Sequence, residues 1–599
     1  MDASLQLNDE HSTLLQRAWR LTIPPLLIAV VIAALLASFA GFISVRLAQQ
    51  YHLNTAYYPD SSGYRISAVQ IHQTLATQGL GTALTQAFKL KDGLDVVLRV
   101  LFAPSMLVHR FGHVVVLMPF MAVFIFLTIW YVFMRTRSLL LGIVTVAFLF
   151  TSGLVYGPYA GIADYWKDSL ATWLLGSACI AWLLSERLKH RRWAALCGLL
   201  LGLLVMQRTA AAVYAAPIFA VLWISAIYQI IRSEGWKPAF NRTCAFAVPA
   251  ASLAALVALF QFQILHTYYF GSGYAFGSMQ FIARTLGANL IARGGMILFL
   301  LPWAYILCVV SISAWREQSS EILTAVWFVV GFPVFIILSH SLYVPGFYAC
   351  WTVLLIVLLA PLLPRTLSGR YRNLFLIVLI IIAGSGAAIQ YKRSALNAYQ
   401  SSPDALLKRQ FYLDIANVLL AQPEPRPYKL IVTEAGADFW NVLFYDVGKE
   451  KALAWQESSA FFSVHDSYYQ TVFPNLTGDQ IVRENIQRLE QVPGTIVIAS
   501  CEAKDLLNQL WFTPKPAVDF LAQGNPLAAN IAIQLNEYVL QSPHWKAMRR
   551  LDSPYGCAFI YQYIQQPLSS REKWQEVSCA SRMTELPMVS DFRLSDCLE

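Results

Sequence analysis

WAALCGLLLGLLVMQRTAAAVYAAPIFAVLWISAIYQII, residues 193–231, is almost continuously apolar and is interrupted at Met206-Gln207-Arg208-Thr209. A helix rises about 1.5 Å per residue and needs about 20 residues to cross a hydrocarbon core of roughly 30 Å. The stretch therefore crosses a membrane twice, provided that the chain reverses at the polar break. Helices are the reading because backbone polar groups in lipid must be satisfied internally, and no ten-residue alternating barrel pattern is present.

Working outward, the same kind of run recurs from Ile23 to Gln390. Hydrophobic residues are 57% of the 599 and charged residues 13%, against roughly 45–50% and about 25% in soluble globular proteins. We read about eleven transmembrane helices, at 23–47, 114–134, 138–158, 169–186, 193–207, 210–231, 244–265, 293–314, 321–339, 346–363 and 373–390. The run from Ile23 to Val45 is too long for a signal-peptide core and lacks a small-residue cleavage site after it, so it is expected to stay as the first span.

The net charge of +9 points to nucleic acid only until the basic residues are located, and most of those in short loops sit at alternate helix ends. With residues 1–22 cytoplasmic, the inward segments hold Arg17, Arg20, Arg135, Arg137, Arg187, Lys189, Arg191, Arg192, Arg232, Lys237, Arg242, Arg316, Arg365, Arg370 and Arg372. The positive-inside rule then favours this orientation. An odd number of spans places residues 391–599 outside, and a bacterial inner (plasma) membrane is the expected location.

After residue 390 the chain changes in kind. Tyr428 to Thr433 and Gly494 to Ser500 read as strands, Glu502 to Trp511 as a helix, and Trp545 to Leu551 with Cys557 to Tyr563 as a hairpin around Ser553-Pro554-Tyr555-Gly556. The expectation is a water-soluble C-terminal α/β domain over 391–599. Its four cysteines, Cys501, Cys557, Cys579 and Cys597, are even in number and assigned to an oxidising compartment, which suggests two disulfides in any of three pairings. Free thiols are the alternative, and no pair has zinc-site spacing.

A charge at membrane depth is costly unless paired or hydrated, so ionisable groups near the outer ends of spans merit attention. The first outer loop, 48–113, is long and opens with Ala56-Tyr-Tyr-Pro-Asp-Ser-Ser-Gly-Tyr64. Asp60 there is a candidate base for an acceptor hydroxyl, with Tyr58 and Tyr64 as substrate contacts, and ordinary turn chemistry is the alternative. Amphipathic stretches at Ile66 to Leu75 and Thr82 to Phe88 follow, suited to a membrane surface. In the next outer loop, Asp164, Lys167 and Asp168 share one helical face by their spacing, and helix capping by the two carboxylates is the competing account. Arg208 brings an invariant positive charge and a forked donor set suited to phosphate, against simple snorkelling to headgroups. Arg284 and Arg293, in the aromatic outer loop from His266 onward, are further phosphate candidates, although Tyr268, Tyr269 and Tyr274 beside them fit an interfacial belt.

Taken together, these residues resemble the GT-C superfamily of membrane glycosyltransferases, in the branch with protein O-mannosyltransferases and lipid A aminoarabinose transferases. The likeness lies in a first span, a long outer loop opening on an acidic motif, a second acidic motif in the next outer loop, a later polar break with Arg, and a terminal α/β domain. It implies that Asp60 is the base or acceptor-orienting group and that Asp164, with Asp168 as rival, orients sugar or acceptor. Lys167 and Arg208 match phosphate-binding positions, and Lys89, Arg284 and Arg293 are alternatives. Asp60 is followed by Ser61 and Ser62 where many members have a second acidic residue, which weakens the case for a divalent metal between the loops. The implied partners are a polyprenyl-phosphate-linked sugar donor, a lipid, glycan or protein acceptor and membrane lipids, with no nucleic acid. Direct displacement at the anomeric carbon predicts inversion. An O-antigen-type polymerase or ligase, a lipid-linked sugar flippase or transporter, and a non-catalytic anchoring subunit are the competing classes.

Overall fold

The computed structural model describes residues 24–50, 59–90, 93–102, 111–156, 162–163, 167–209, 211–266, 369–421, 428–430, 475–500, 526–552 and 557–573, with isolated positions 324, 327–328, 331, 357, 447, 473 and 575. The chain divides into two compact units. One comprises Met1–Leu47, Val69–Gln261 and Ser278–Leu396, and the other Ala48–Ala68, Phe262–Gly277 and Asn397–Glu599.

The first unit is helical. Its elements begin with α1 (Pro25–Gln50), α2 (Pro59–Gln78, whose residues up to Ala68 fall in the second unit), α3 (Leu80–Lys89), α4 (Leu94–Phe102), α5 (His113–Thr136) and α6 (Leu139–Ala147). A 3-10 turn, Phe148–Thr151, leads to the short α7 (Gly153–Tyr156), and α8 (Lys167–Leu184), α9 (Arg191–Gln207), α10 (Ala211–Glu234) and α11 (Trp236–His266) follow. α12 (Gly369–Leu420) runs on past the boundary between the units.

Small residues set the packing of the spans. Ala29, Ala33, Ala37 and Ala40 form a buried stripe on α1, and a methyl at Gly41 would come 2.6 Å from Met118 Sδ of α5. Gly198 and Gly202 do the same for α9 against α11. A methyl at Gly198 would collide with the Phe246 carbonyl, and one at Gly202 would meet Leu253 Cβ at 2.8 Å and Pro249 O at 3.2 Å. Close backbone approach through residues without side chains is how helices gain dispersion contacts where lipid is as apolar as leucine.

Apolar side chains such as Leu35, Phe42, Ile224, Leu259 and Ile381 point outward and are at least half exposed, the reverse of a water-soluble surface. Five described helices, Pro25–Gln50, His113–Thr136, Ala215–Glu234, Trp236–Phe262 and Leu376–Leu396, are long and apolar enough to cross a membrane. Leu139–Thr151 and Ser169–Leu184 are shorter apolar helices. The protein is a multi-pass membrane protein. The reading of about eleven spans goes beyond these five, and the spans at 293–314, 321–339 and 346–363 lie outside the described residues apart from isolated positions. Of those positions, Trp327 donates its indole N–H to Ile218 O at 3.2 Å and Phe328 packs on Phe219 with ring centroids 5.4 Å apart.

Two boundaries differ from the sequence reading. The span at 138–158 is not one helix: α6 tightens into the 3-10 turn, and Ser152 is extended at φ −88 and ψ 134 before α7 begins. The span at 373–390, matched by the apolar stretch Leu376–Leu396, is part of a longer helix, because α12 continues to Leu420. Residues 391–420 hold good helix formers such as Ala, Leu, Lys, Arg and Gln on both sides of Pro403, which costs the helix interior a hydrogen bond.

In the second unit lie β1 (Tyr428–Leu430), α13 (Gly478–Glu490), β2 (Ile496–Ser500), α14 (Pro526–Gln541), β3 (Trp545–Asp552) and β4 (Cys557–Tyr563). They form a four-stranded sheet in the order β1-β2-β4-β3, with β1 parallel to β2 and the other pairs antiparallel. Thr477 opens α13 with a capping box, its side chain on Gln480 N and the Gln480 side chain on Thr477 N. Gly494 takes φ 80 in the turn after α13, a conformation that glycine adopts without cost. Glu490 Oε1 accepts from Tyr538 OH at 2.8 Å and from Trp545 Nε1 at 3.1 Å, tying both helices to the start of β3. Lys573, 7% exposed, donates to Trp545 O at 2.8 Å and lies 5.1 Å from the Tyr561 ring centroid, which gives its charge a cation–π partner. The strands fall where β propensity placed them. The segments 435–446 and 502–511, the turn 553–556, and Cys501, Cys579 and Cys597 lie outside the described residues, as does the side chain of Cys557.

Candidate active site

Chain direction sorts the helix ends of the first unit into two sets. Arg135, Glu186, His190 and Glu234 close one set, where Arg135 pairs with Glu186 at 3.2 Å and Arg242 with Glu234 at 2.6 Å. Arg187 also bonds to Gln229 there. Ser44, His113, Tyr156, Gln207 and Gln261 lie toward the opposite set. Tyr391 belongs with them, since its ring meets the Tyr156 ring edge-on at 5.7 Å and 81°. The long first loop and the second acidic motif open from that second set.

The polar break has the form expected of it. α9 ends at Gln207, Arg208 is extended at φ −148 and ψ 97, and α10 starts at Ala211. The Arg208 N–H closes the last turn on Leu204 O at 2.8 Å, and Ala211 N–H bonds to the Arg208 carbonyl at 2.8 Å. Gln207 and Thr209 are buried while Arg208 is half-buried.

The described residues of the first loop form the helices α2, α3 and α4. α2 and α3 contain the two amphipathic stretches read from sequence, and Pro59 is the first residue of α2 with Asp60 next. Proline is favoured at that position and a carboxylate in the first turn suits the helix dipole. The backbone of Asp60 thus starts a helix where a turn was the bland expectation. α4 carries Asp95, 2% exposed, whose backbone N–H donates to Gln207 Oε1 at 2.9 Å. Gln261 Nε2 donates to Phe88 O at 3.0 Å, and the Phe88 and Phe260 rings stack at 5.6 Å. Ala163 N–H donates to Ser44 Oγ at 3.0 Å, which binds the residue before Asp164 to the first span.

Of the residues singled out from sequence, Arg208 is described fully. Asp60, Tyr64, Lys167 and Asp168 have described backbones, the last two as the first residues of α8, while their side chains lie outside the described residues. Tyr58, Asp164, Arg284 and Arg293 lie outside them altogether. Sequence reading missed Asp95, Gln207 as a partner of α4, and Gln261. The available signal was a polar side chain within an apolar run, as in Phe260-Gln261-Phe262. Among the described residues no three His, Cys, Asp or Glu side chains gather as a metal site.

No protein-family model matches the chain, and no curated protein is similar to it in sequence. Solved structures share its fold. ArnT from Cupriavidus metallidurans bound to undecaprenyl phosphate is 12% identical, with a TM-score of 0.50 over 90% of this chain and 99% of that one. The same protein in the apo state gives 12% identity and a TM-score of 0.51 over 89% and 97%. The archaeal oligosaccharyltransferase AglB from Archaeoglobus fulgidus, in complex with an inhibitory peptide and a dolichol-phosphate, is 14% identical over 91% of this chain and 75% of that one, at a TM-score of 0.44, too low to bear on the fold. The chain therefore shares the polytopic membrane fold of the ArnT structures, and at this identity the likeness establishes the fold alone.

Proposed function

We propose that the protein is an inverting GT-C glycosyltransferase that moves a sugar from a polyprenyl-phosphate donor to a lipid, glycan or protein acceptor on the outer face of a bacterial inner membrane. The observation that carries this reading is the likeness in fold, over nearly the whole of both chains, to a protein solved with undecaprenyl phosphate bound. The half-buried Arg208 at the break supports it, because a fixed cation at the lipid boundary suits a lipid phosphate.

In this mechanism the lipid tail stays in the bilayer and the head enters a cavity under the first loop. Asp60 takes or orients the acceptor proton as its oxygen attacks the anomeric carbon, and Asp164 holds sugar or acceptor in line. The bond to phosphate oxygen breaks on the opposite face. Lys167 and Arg208, with Arg284 and Arg293 as further contacts, hold the departing phosphate and its charge, while Tyr58, Tyr64 and Asp168 contact the substrate. The contact of Tyr391 with Tyr156 supports an exit of α12 on the side of the loops, and residues 391–599 are assigned as an extracytoplasmic α/β domain. Cys501, Cys557, Cys579 and Cys597 are its disulfide candidates.

The test is transfer from a polyprenyl-phosphate sugar by purified, reconstituted protein. Asp60→Asn is expected to lower kcat by about 10²–10⁴-fold, the usual worth of a positioned base, and Asp164→Asn to lower it as well. Unchanged transfer by both variants overturns the assignment.

A further inference from the structure

α3 and α4 meet with Gly93 packed close against the Ala87 and Leu90 carbonyls, and each helix leaves open backbone groups there. The C-terminal turn of α3 has carbonyls without intrahelical partners, and the first turn of α4 has such N–H groups. Two glutamines supply what is missing. Gln261 of α11 donates to Phe88 O in the last turn of α3 at 3.0 Å, and Gln207 of α9 accepts from Asp95 N–H in the first turn of α4 at 2.9 Å. Gln207 is fully buried and Gln261 is 4% exposed. Among the described residues the Gln261 Oε1 has no partner, and the bond to Phe88 is the one that holds that amide.

α9 and α11 run parallel and approach closely at Gly198 and Gly202, about one turn before Gln207 on α9 and about two turns or more before Gln261 on α11. Each glutamine-bound residue or glutamine also has a cation as its immediate neighbour: Lys89 follows Phe88, and Arg208 follows Gln207. Lys89 is exposed and Arg208 half-buried.

We propose that Gln207 and Gln261 are positioning residues: they clamp the α3–α4 corner so that Lys89 and Arg208 are held ready for one lipid phosphate. The inference rests on the reading of a polyprenyl-phosphate donor above. It requires that each glutamine act through its neighbouring cation, and this distinguishes it from simple support of the fold.

The experiment is binding of undecaprenyl phosphate to the full chain in lipid nanodiscs. Variants are Gln207→Met, Gln261→Met, Lys89→Met and Arg208→Met, each alone, and the pairs Lys89→Met with Gln261→Met and Arg208→Met with Gln207→Met. Methionine keeps the volume and removes the hydrogen bond, and the thermal midpoint of each variant reports on folding. Each glutamine variant is expected to bind about tenfold more weakly, as the loss of one buried hydrogen bond allows. In the paired variant the glutamine change is expected to add nothing to the loss caused by the cation change, as double-mutant coupling demands. Glutamine variants that bind like wild type, or losses that add in the pairs, overturn the clamp while leaving the donor reading intact. Wild-type affinity in both Lys89→Met and Arg208→Met overturns the donor reading and the clamp with it.

Discussion

At the scale of the residue, Glu490 shows how one side chain secures a fold. Its Oε1 is the shared acceptor of Tyr538 and Trp545, and Trp545 is fully buried. Glu490→Ala leaves an indole N–H without an acceptor and is expected to cost about 1–3 kcal/mol, read as faster hydrogen exchange of the β2 and β4 amides, whereas Glu490→Gln keeps an acceptor and most of the protection. The same site sets a pH limit. Desolvation, together with the Glu490 carboxylate, raises the Tyr538 phenol above its ordinary 10.0, and desolvation with Glu490 raises Tyr563 likewise. A phenol raised on folding keeps its proton after the unfolded chain has lost its own. That contribution to stability is therefore full below pH 10.0 and lost as pH rises through the folded value. Exchange protection of β2–β4 should be flat up to that pH and decline above it, and a decline beginning near neutrality contradicts the assignment. Arg208 was legible in the sequence because a charge between apolar runs has few explanations in a membrane. Asp95 and Gln261 were not, since each looked like a lone polar residue in a helix and its partner lies far away along the chain.

At the scale of the element, close packing of α9 on α11 depends on the absence of two side chains. Gly198→Ala places a methyl against the Phe246 carbonyl and should destabilise by about 1–3 kcal/mol, as overpacking of a well-filled interface does. A lowered thermal midpoint in detergent checks this, with Leu199→Ala on the exposed face as the control that should move it little. Hydropathy located these helices well, because in a bilayer burial and apolarity coincide over a fixed length. It failed at α6–α7 and α12 for opposite reasons. In the first, an apolar run conceals a tightened turn before Ser152. In the second, a helix outlasts the apolar run that announced it. The strands of the second unit were legible from β-branched clusters such as Ile496-Val497-Ile498, but their order β1-β2-β4-β3 needs pairings between segments that local sequence does not encode.

At the scale of the whole molecule, the account makes the protein asymmetric across the membrane, with basic turns inside and loops, break and C-terminal segment outside. Single cysteines at Lys189 and Asp479 in a protein otherwise free of cysteine test this with a membrane-impermeant thiol reagent on sealed inner-membrane vesicles of known orientation. The position in the turn 185–190 should label only from the cytoplasmic side and the position in α13 only from the other, and the reverse pattern contradicts the orientation. The measurement that bears most directly on the central claim is a structure of the full chain in a bilayer with undecaprenyl phosphate. A phosphate is expected within hydrogen-bond distance of Arg208, in a cavity that Asp60 and Asp164 both face. Lipid phosphate bound at the ends marked by Arg135 and Glu186, or Asp60 and Asp164 turned away from any shared cavity, would contradict it.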